Sequence, residues 1–181
     1  MANHEGEVAT AKAANNTLQT PLLLSSWATS TIEEVGQAAP DSMKLFQIYM
    51  SKDMEVNDDL WKRCRENGYK AMCLTTDTSL LGKRDSDTRL RFNLPKHLDL
   101  VNLSMYKSKG QQSEMTSKNQ SALFEYVQKH KNNEVDWSVI PTIKKMSRLP
   151  VFTKGIMGYE DAKNALDNGA DGIFVSNHGA R

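Results

Sequence analysis

The sequence predicts an α/β fold built on a parallel sheet, and three observations carry that prediction. Short apolar segments alternate strictly with segments of helical pattern. The apolar segments are near-continuous runs rather than every second residue, as in strands buried on both faces. Polar residues close these runs at spacings that mostly fit one βα unit each.

Residues 3–17, rich in Ala and Glu, read as a first helix. "PLLLSS" at 21–26 reads as a short strand. "TSTIEEVGQAA" opens a helix, with Thr29 or Ser30 as the cap and Glu33 and Glu34 in its first turn. "KLFQIYM" at 44–50 is the second strand. In "DMEVNDDLWKRCRENG", Val56, Leu60 and Cys64 recur four apart and Gly68 supplies the stop, so a helix follows. "YKAMCLTTD" at 69–77 is the third strand, and residues 138–148 are a helix. "LPVFTKG" at 149–155, "GYEDAKNALDNGA" at 158–170 and "GIFVSN" from 172 complete the pattern as strand, helix and strand. The strand ends fall near Ser25, Gln47, Thr75, Lys154 and Ser176. The gap from Thr75 to Lys154 is far longer than the others, so an insertion of about residues 78–137 is expected. Its stretch "KSKGQQSEMTSKNQ" at 107–120 is polar and suits a mobile lid or an ordinary surface loop.

Bulk composition excludes several classes. The 181 residues suffice for one domain with a core. Lys and Arg number 23 against 22 Asp and Glu, a net charge of +1, so no basic footprint for nucleic acid is present. Apolar runs are only a few residues long, too short for a membrane span, and "MANHEGEVAT" is no secretory leader. Cys64 and Cys73 fit no metal-binding or redox spacing and read as reduced core residues, which implies a reducing compartment. No metal site is expected.

Polar residues at strand ends are the unusual feature. Ser25, Gln47 with Tyr49, Thr75 with Asp77, Lys154, and Ser176 with His178 each close a strand. Taken singly, each has an ordinary role as a helix cap, a core-edge ring or a surface charge. Ligands of parallel α/β proteins bind at the C-terminal ends of the strands, so together these residues describe one polar site. His178 and Asp77 suit a general base and the carboxylate that fixes its tautomer. Arg84 and Arg181 suit bidentate binding of a planar anion such as a carboxylate. Neither a Gly-rich dinucleotide fingerprint nor a G-x-S-x-G elbow is present, so any redox chemistry does not use a Rossmann-bound NAD.

"SNHGAR" at the end of the chain resembles the signature of the FMN-dependent 2-hydroxy-acid oxidases and dehydrogenases. The resemblance extends in order through "LLLSSWATSTIEEV", "LFQIYMSKD", "LTTDTSLLGKRDSD", "RFNLP", "LPVFTKGI" and "GADGIFVSNHGAR". "SSWATST" is most similar to glycolate oxidases; "FQIYMSKD" and "VFTKGI" are more similar to bacterial lactate oxidases.

The resemblance implies a (β/α)8 TIM barrel with FMN at its C-terminal rim. Ser25, Gln47, Thr75, Lys154 and Ser176 would contact the flavin, Lys154 near N1 and C2=O. His178 would take the substrate's hydroxyl proton as hydride leaves for N5, or its α-proton in a carbanion route, with Asp77 in support. Tyr49 would hold the substrate oxygen, Arg84 and Arg181 its carboxylate, and Trp27 would line the pocket. The implied reaction converts a small (S)-2-hydroxy acid, of glycolate or L-lactate type, to the 2-oxo acid, with O2 reduced to H2O2. Two alternatives stay open: a dehydrogenase passing electrons to a cytochrome or quinone, and an inactive truncated remnant of the family. The motifs correspond to strands two to six of eight. The first strand and the Gly/Arg phosphate motifs of the last two have no match, so a central fragment that binds FMN weakly or not at all is expected. Family resemblance also implies a tetramer and a peroxisomal or cytoplasmic location, with any peroxisomal address lying beyond Arg181.

Overall fold

The computed structural model describes residues 3–17, 20–80, 82, 85–90, 94–95, 97–104 and 129–179. Five strands form one parallel sheet in chain order: β1 (Leu22–Ser25), β2 (Lys44–Ile48), β3 (Ala71–Thr75), β4 (Val151–Ile156) and β5 (Gly172–Val175). Helix α1 (Gly6–Asn16) precedes β1, and α2 (Ile32–Ala38) and α3 (Met54–Glu66) fill the first two crossovers. Between β3 and β4 lie α4 (Asp85–Leu90), α5 (Val101–Ser104) and α6 (Val139–Ser147); α7 (Tyr159–Asp167) joins β4 to β5. The two short helices α4 and α5 fall inside the insertion and have no apolar periodicity long enough to announce them. Residues 107–120, expected to be either a lid or an ordinary surface loop, lie outside the described residues.

Pleating divides the strand residues between two faces. Leu24, Phe46, Ile48, Met72, Leu74 and Val151 belong to the core formed with the helices. Ser25, Gln47, Thr75 and Lys154 share the other face, because Ser25 pairs with Gln47 and Thr75 with Lys154 in register. Continuous burial holds for β2 and β3, the central strands. It fails for β5, which has one neighbour among the described strands and leaves Val175 79% exposed.

Long-range polar contacts fix the helices. Thr31, rather than Thr29 or Ser30, caps α2: its hydroxyl accepts from the Glu34 N–H while the Glu34 carboxylate accepts from the Thr31 N–H. The reciprocal bond needs Glu three residues after the cap. Ser30 also has one, Glu33, but Arg63 holds that carboxylate and Ser30 Oγ donates to Glu7, which leaves Thr31 with Glu34. Asn102 of α5 accepts the Ile32 N–H at 3.0 Å and donates to Ser30 O at 3.0 Å, so the insertion reaches back to the start of α2. Arg63 of α3 grips the Glu33 carboxylate with two bonds of 2.7 Å. Both cysteines are buried free thiols, and burial pushes the Cys73 pKa up to about 12. Among the described residues, no helix is long and apolar enough to cross a membrane.

Thr29 and Ser30, displaced from the capping role, hold α1 instead. The Glu7 carboxylate accepts from Ser30 Oγ at 2.7 Å, Thr29 Oγ1 at 3.2 Å and Thr29 N at 3.3 Å. Burial disfavours the charged form, but these donors outweigh it and hold Glu7 below the usual carboxylate range. A depressed folded-state pKa stabilises the fold above the range of an unfolded Glu, and that contribution fades as pH falls through the lower folded value. Glu7→Gln is expected to lower stability near neutral pH by about 1 kcal/mol. The loss is expected to shrink toward pH 3; urea unfolding followed by circular dichroism across that range measures it.

Candidate active site

Parallel register brings the expected rim residues to one end of the sheet. Ser25 Oγ donates to Gln47 Oε1 at 3.1 Å, and Gln47 Nε2 donates to Thr75 Oγ1 at 2.7 Å. This chain of bonds across β1, β2 and β3 uses Thr75 Oγ1 as an acceptor. Lys154 follows on the same face, and its ammonium has no ion-pair or hydrogen-bond partner among the described residues. Lys154 does not end its strand, as the sequence pattern implied: β4 runs on to Ile156 through a register shift between Lys154 and Ile156.

That irregularity makes room for Asp77. Gly155 adopts φ +106°, and a Cβ there would lie 2.5 Å from both Cβ and Cγ of Asp77. Only glycine permits this backbone and this approach. The strand crossing is held by Lys154 O, which accepts from Thr76 N at 2.8 Å and Thr76 Oγ1 at 3.0 Å. Asp77 Oδ1 lies 2.8 Å from His178 Nδ1, joining the loop after β3 to the loop after β5. His178 sits at φ 69°, a conformation a non-glycine residue holds only when its surroundings enforce it. Ser176 helps enforce it, accepting the His178 N–H on Oγ at 3.0 Å.

The contact fixes the imidazole. An ionised carboxylate only accepts, so Nδ1 carries the proton and Nε2 keeps a lone pair facing away from Asp77. Thr78, which sequence reasoning missed, donates to Asp77 Oδ1 at 3.2 Å and lies 3.4 Å from His178 Nδ1. Oδ2 of Asp77 is buried without a hydrogen-bond partner. All the charge-assisted bonding of Asp77 therefore falls on the oxygen that faces His178. Nothing in "LTTDTS" marks Thr78 apart from its neighbours, but its place next to Asp77 is the signal that was there to use.

Trp27 and Tyr49 form a second cluster. Their ring centroids are 4.4 Å apart with planes tilted by 31°, and the backbone N–H of Trp27 donates to Ser25 Oγ at 3.1 Å. Tyr49, Thr75, Thr76, Thr78 and Gly155 line one cavity of about 410 Å³. Its wall thus joins the aromatic pair to the backbone that carries Asp77. Arg84 and Arg181 lie outside the described residues.

Gly155→Ala is expected to lower stability by about 2 kcal/mol or more, from strain at positive φ and collision with Asp77. It is also expected to break the contact to His178. Urea unfolding measures the first effect. Loss of the downfield proton signal of the hydrogen-bonded His178 Nδ1–H measures the second.

Comparison with known proteins places the chain in a family. The family model described as FMN-dependent dehydrogenase matches residues 1–181. Mouse 2-hydroxyacid oxidase 1 is 41% identical, with 100% of this chain aligned to 48% of that protein. Rice glycolate oxidase 3 is 42% identical at the same coverage, 100% and 48%. The chain therefore spans about half the length of the curated relatives it matches. Among solved structures, a mandelate oxidase bound to (S)-4-hydroxymandelic acid superposes with a TM-score of 0.84 at 30% identity, covering 98% of this chain and 48% of that one. A lactate oxidase of Pediococcus acidilactici gives 0.82 at 30% identity, covering 99% and 45%. The consecutive parallel strands are thus part of a (β/α)8 barrel. By its match along the whole length, this chain belongs to the FMN-dependent dehydrogenase family.

Proposed function

We propose that this chain carries the proton-transfer and flavin-facing residues of an FMN-dependent (S)-2-hydroxy-acid oxidase. The observation that carries the reading is the 2.8 Å contact of His178 Nδ1 with Asp77 Oδ1, set beside Lys154 by Gly155. A base with a fixed tautomer and a lone cation at one rim suit removal of a proton and a hydride from adjacent atoms.

The donor set fits FMN. The Thr75 hydroxyl and the Lys154 ammonium are donors with no acceptor among the described residues, matching the acceptor edge of an isoalloxazine ring. Ser25 and Gln47 would hold that edge from the β1 side, and Ser176 from the β5 side. FMN, when bound, would supply a two-electron acceptor for the C2 hydride, and O2 would be the terminal acceptor, giving H2O2.

The residues of the chain account for the remainder. His178 Nε2 accepts the proton from the substrate hydroxyl as C2 loses hydride and the C2–O bond becomes a carbonyl. Asp77 stabilises the resulting imidazolium, and the Thr78 bond keeps its Oδ1 turned toward the ring. Tyr49, braced on Trp27, holds the substrate oxygen. Arg84 and Arg181 bind the carboxylate, each through a bidentate pair worth about 1.5–3 kcal/mol per charged hydrogen bond. Lys154 holds negative charge on the cofactor side, where a fixed cation favours electron arrival.

The test is an absorbance titration with FMN, then anaerobic addition of glycolate or L-lactate. It is run on this chain and on a fusion that supplies the rest of the barrel from a relative. The fusion is expected to bind FMN and bleach the long-wavelength flavin band. His178→Gln in the fusion is expected to slow bleaching about 10²- to 10⁴-fold while flavin stays bound. Lys154→Met is expected to weaken FMN binding about tenfold or more. Equal bleaching rates in wild type and His178→Gln would overturn the assignment of the base.

A further inference from the structure

Beyond the rim, the same cavity has a far wall built around a buried cation. Lys131 is 8% exposed, and its backbone is pinned by an antiparallel bridge to Ser51 and flanking bonds from Lys52 N to His130 O and Asn132 N to Met50 O. Its Nζ donates to Ser79 O at 2.8 Å and to Asn133 Oδ1 at 3.2 Å, and sits 5.8 Å from the centroid of the Tyr49 ring. An ammonium has three donors, so one remains. Among the described residues no carboxylate lies within ion-pair distance of Nζ. Asp136 and Asp161 also line the cavity, but both are exposed, and Asp136 is engaged by Ser138 N and Oγ. A charge buried without a counter-ion is costly to the fold, and neutral oxygens alone leave that cost in place.

We infer that this cavity is a carboxylate subsite, with Lys131 supplying the cation. A carboxylate in the open volume would meet the third Nζ donor and provide the missing counter-charge. The cavity is also lined by Tyr49 and Thr75, so an occupant long enough to span it would meet both Lys131 and the candidate active site. Two sources share this chemistry. One is the distal acid group of a 2-hydroxydicarboxylate whose hydroxy-acid end lies at Tyr49 and His178, an assignment that rests on the proposed function. The other is a separate small carboxylate. The subsite itself does not depend on catalysis. Burial lowers the Lys131 pKa below the usual lysine range, which leaves more free amine for acylation at mildly alkaline pH.

Calorimetric titration of the chain with succinate and with acetate, neither of them a 2-hydroxy acid, tests this without turnover. Lys131→Met, which keeps the length of the side chain, is expected to weaken binding about tenfold or more, and Lys131→Arg to retain it. Lys131 dependence for succinate alone assigns the subsite to the far end of a dicarboxylate. Dependence for both probes assigns it to a separate small carboxylate. A second measurement needs no variant: acylation of Lys131 by acetic anhydride at pH 8, read by peptide mass spectrometry, is expected to slow at least threefold in the succinate-bound chain. Equal affinity in wild type and Lys131→Met, absence of binding, or acylation unaffected by succinate would each overturn the subsite. None of these results bears on His178, so the oxidase reading stands or falls separately.

Discussion

Everything at the rim depends on parallel register. In an antiparallel sheet, neighbouring strands would carry their C-terminal ends to opposite edges, and Ser25, Gln47, Thr75 and Lys154 would be dispersed. Here each strand pairs with the next in sequence and all five run the same way. The pairing of Ser25 with Gln47 and Thr75 with Lys154 then places hydroxyl, amide and ammonium in one line. Hydrogen bonds such as Gln47 to Thr75 are consequences of that alignment and in turn pin it.

A second layer of order comes from the loops beyond the strands. Asp77 and His178 stand two residues past Thr75 and Ser176, where regular pairing no longer positions them. Their meeting requires an irregular β4, a glycine at 155 and a left-handed backbone at His178. Each departure would be unfavourable by itself. All three converge on one 2.8 Å contact, which is how local strain persists in a folded protein.

The alternation of elements and the rim residues were legible because both follow from pattern: apolar runs, period two and the polar ends of strands. Helix caps were less legible. Thr29, Ser30 and Thr31 are equivalent as residue types, and only the reciprocal partner Glu34 and the remote Glu7 separate their roles. Lysines show the same limit more sharply. Lys44, 1% exposed, donates to Ala39 O at 2.5 Å and Pro40 O at 3.3 Å and so finishes α2. Lys131 is buried against a cavity, whereas Lys154 has no partner among the described residues. Residue type does not distinguish these three: Lys44 is held by carbonyls four and five residues back, and Lys131 by Asn133 two residues on and Ser79 52 residues back. Lys131 belongs to a stretch, "KHKNN", that composition alone would assign to solvent.

The long excursion between Thr75 and Lys154 has a kinetic side. Strands β1 to β3 and the pair β4–β5 can each assemble through short connections, as successive βα units. Joining the two groups means closing a loop several times longer. Loop entropy grows only logarithmically, so that closure costs about 1 kcal/mol more than closing one of the shorter units. The two bonds of Asn102 to the start of α2 tie the insertion to the first half of the sheet, so the loop from Asn102 to β4 is shorter than the whole insertion. A chain of this design can therefore carry a large insertion at its working end without forfeiting a route to the folded sheet.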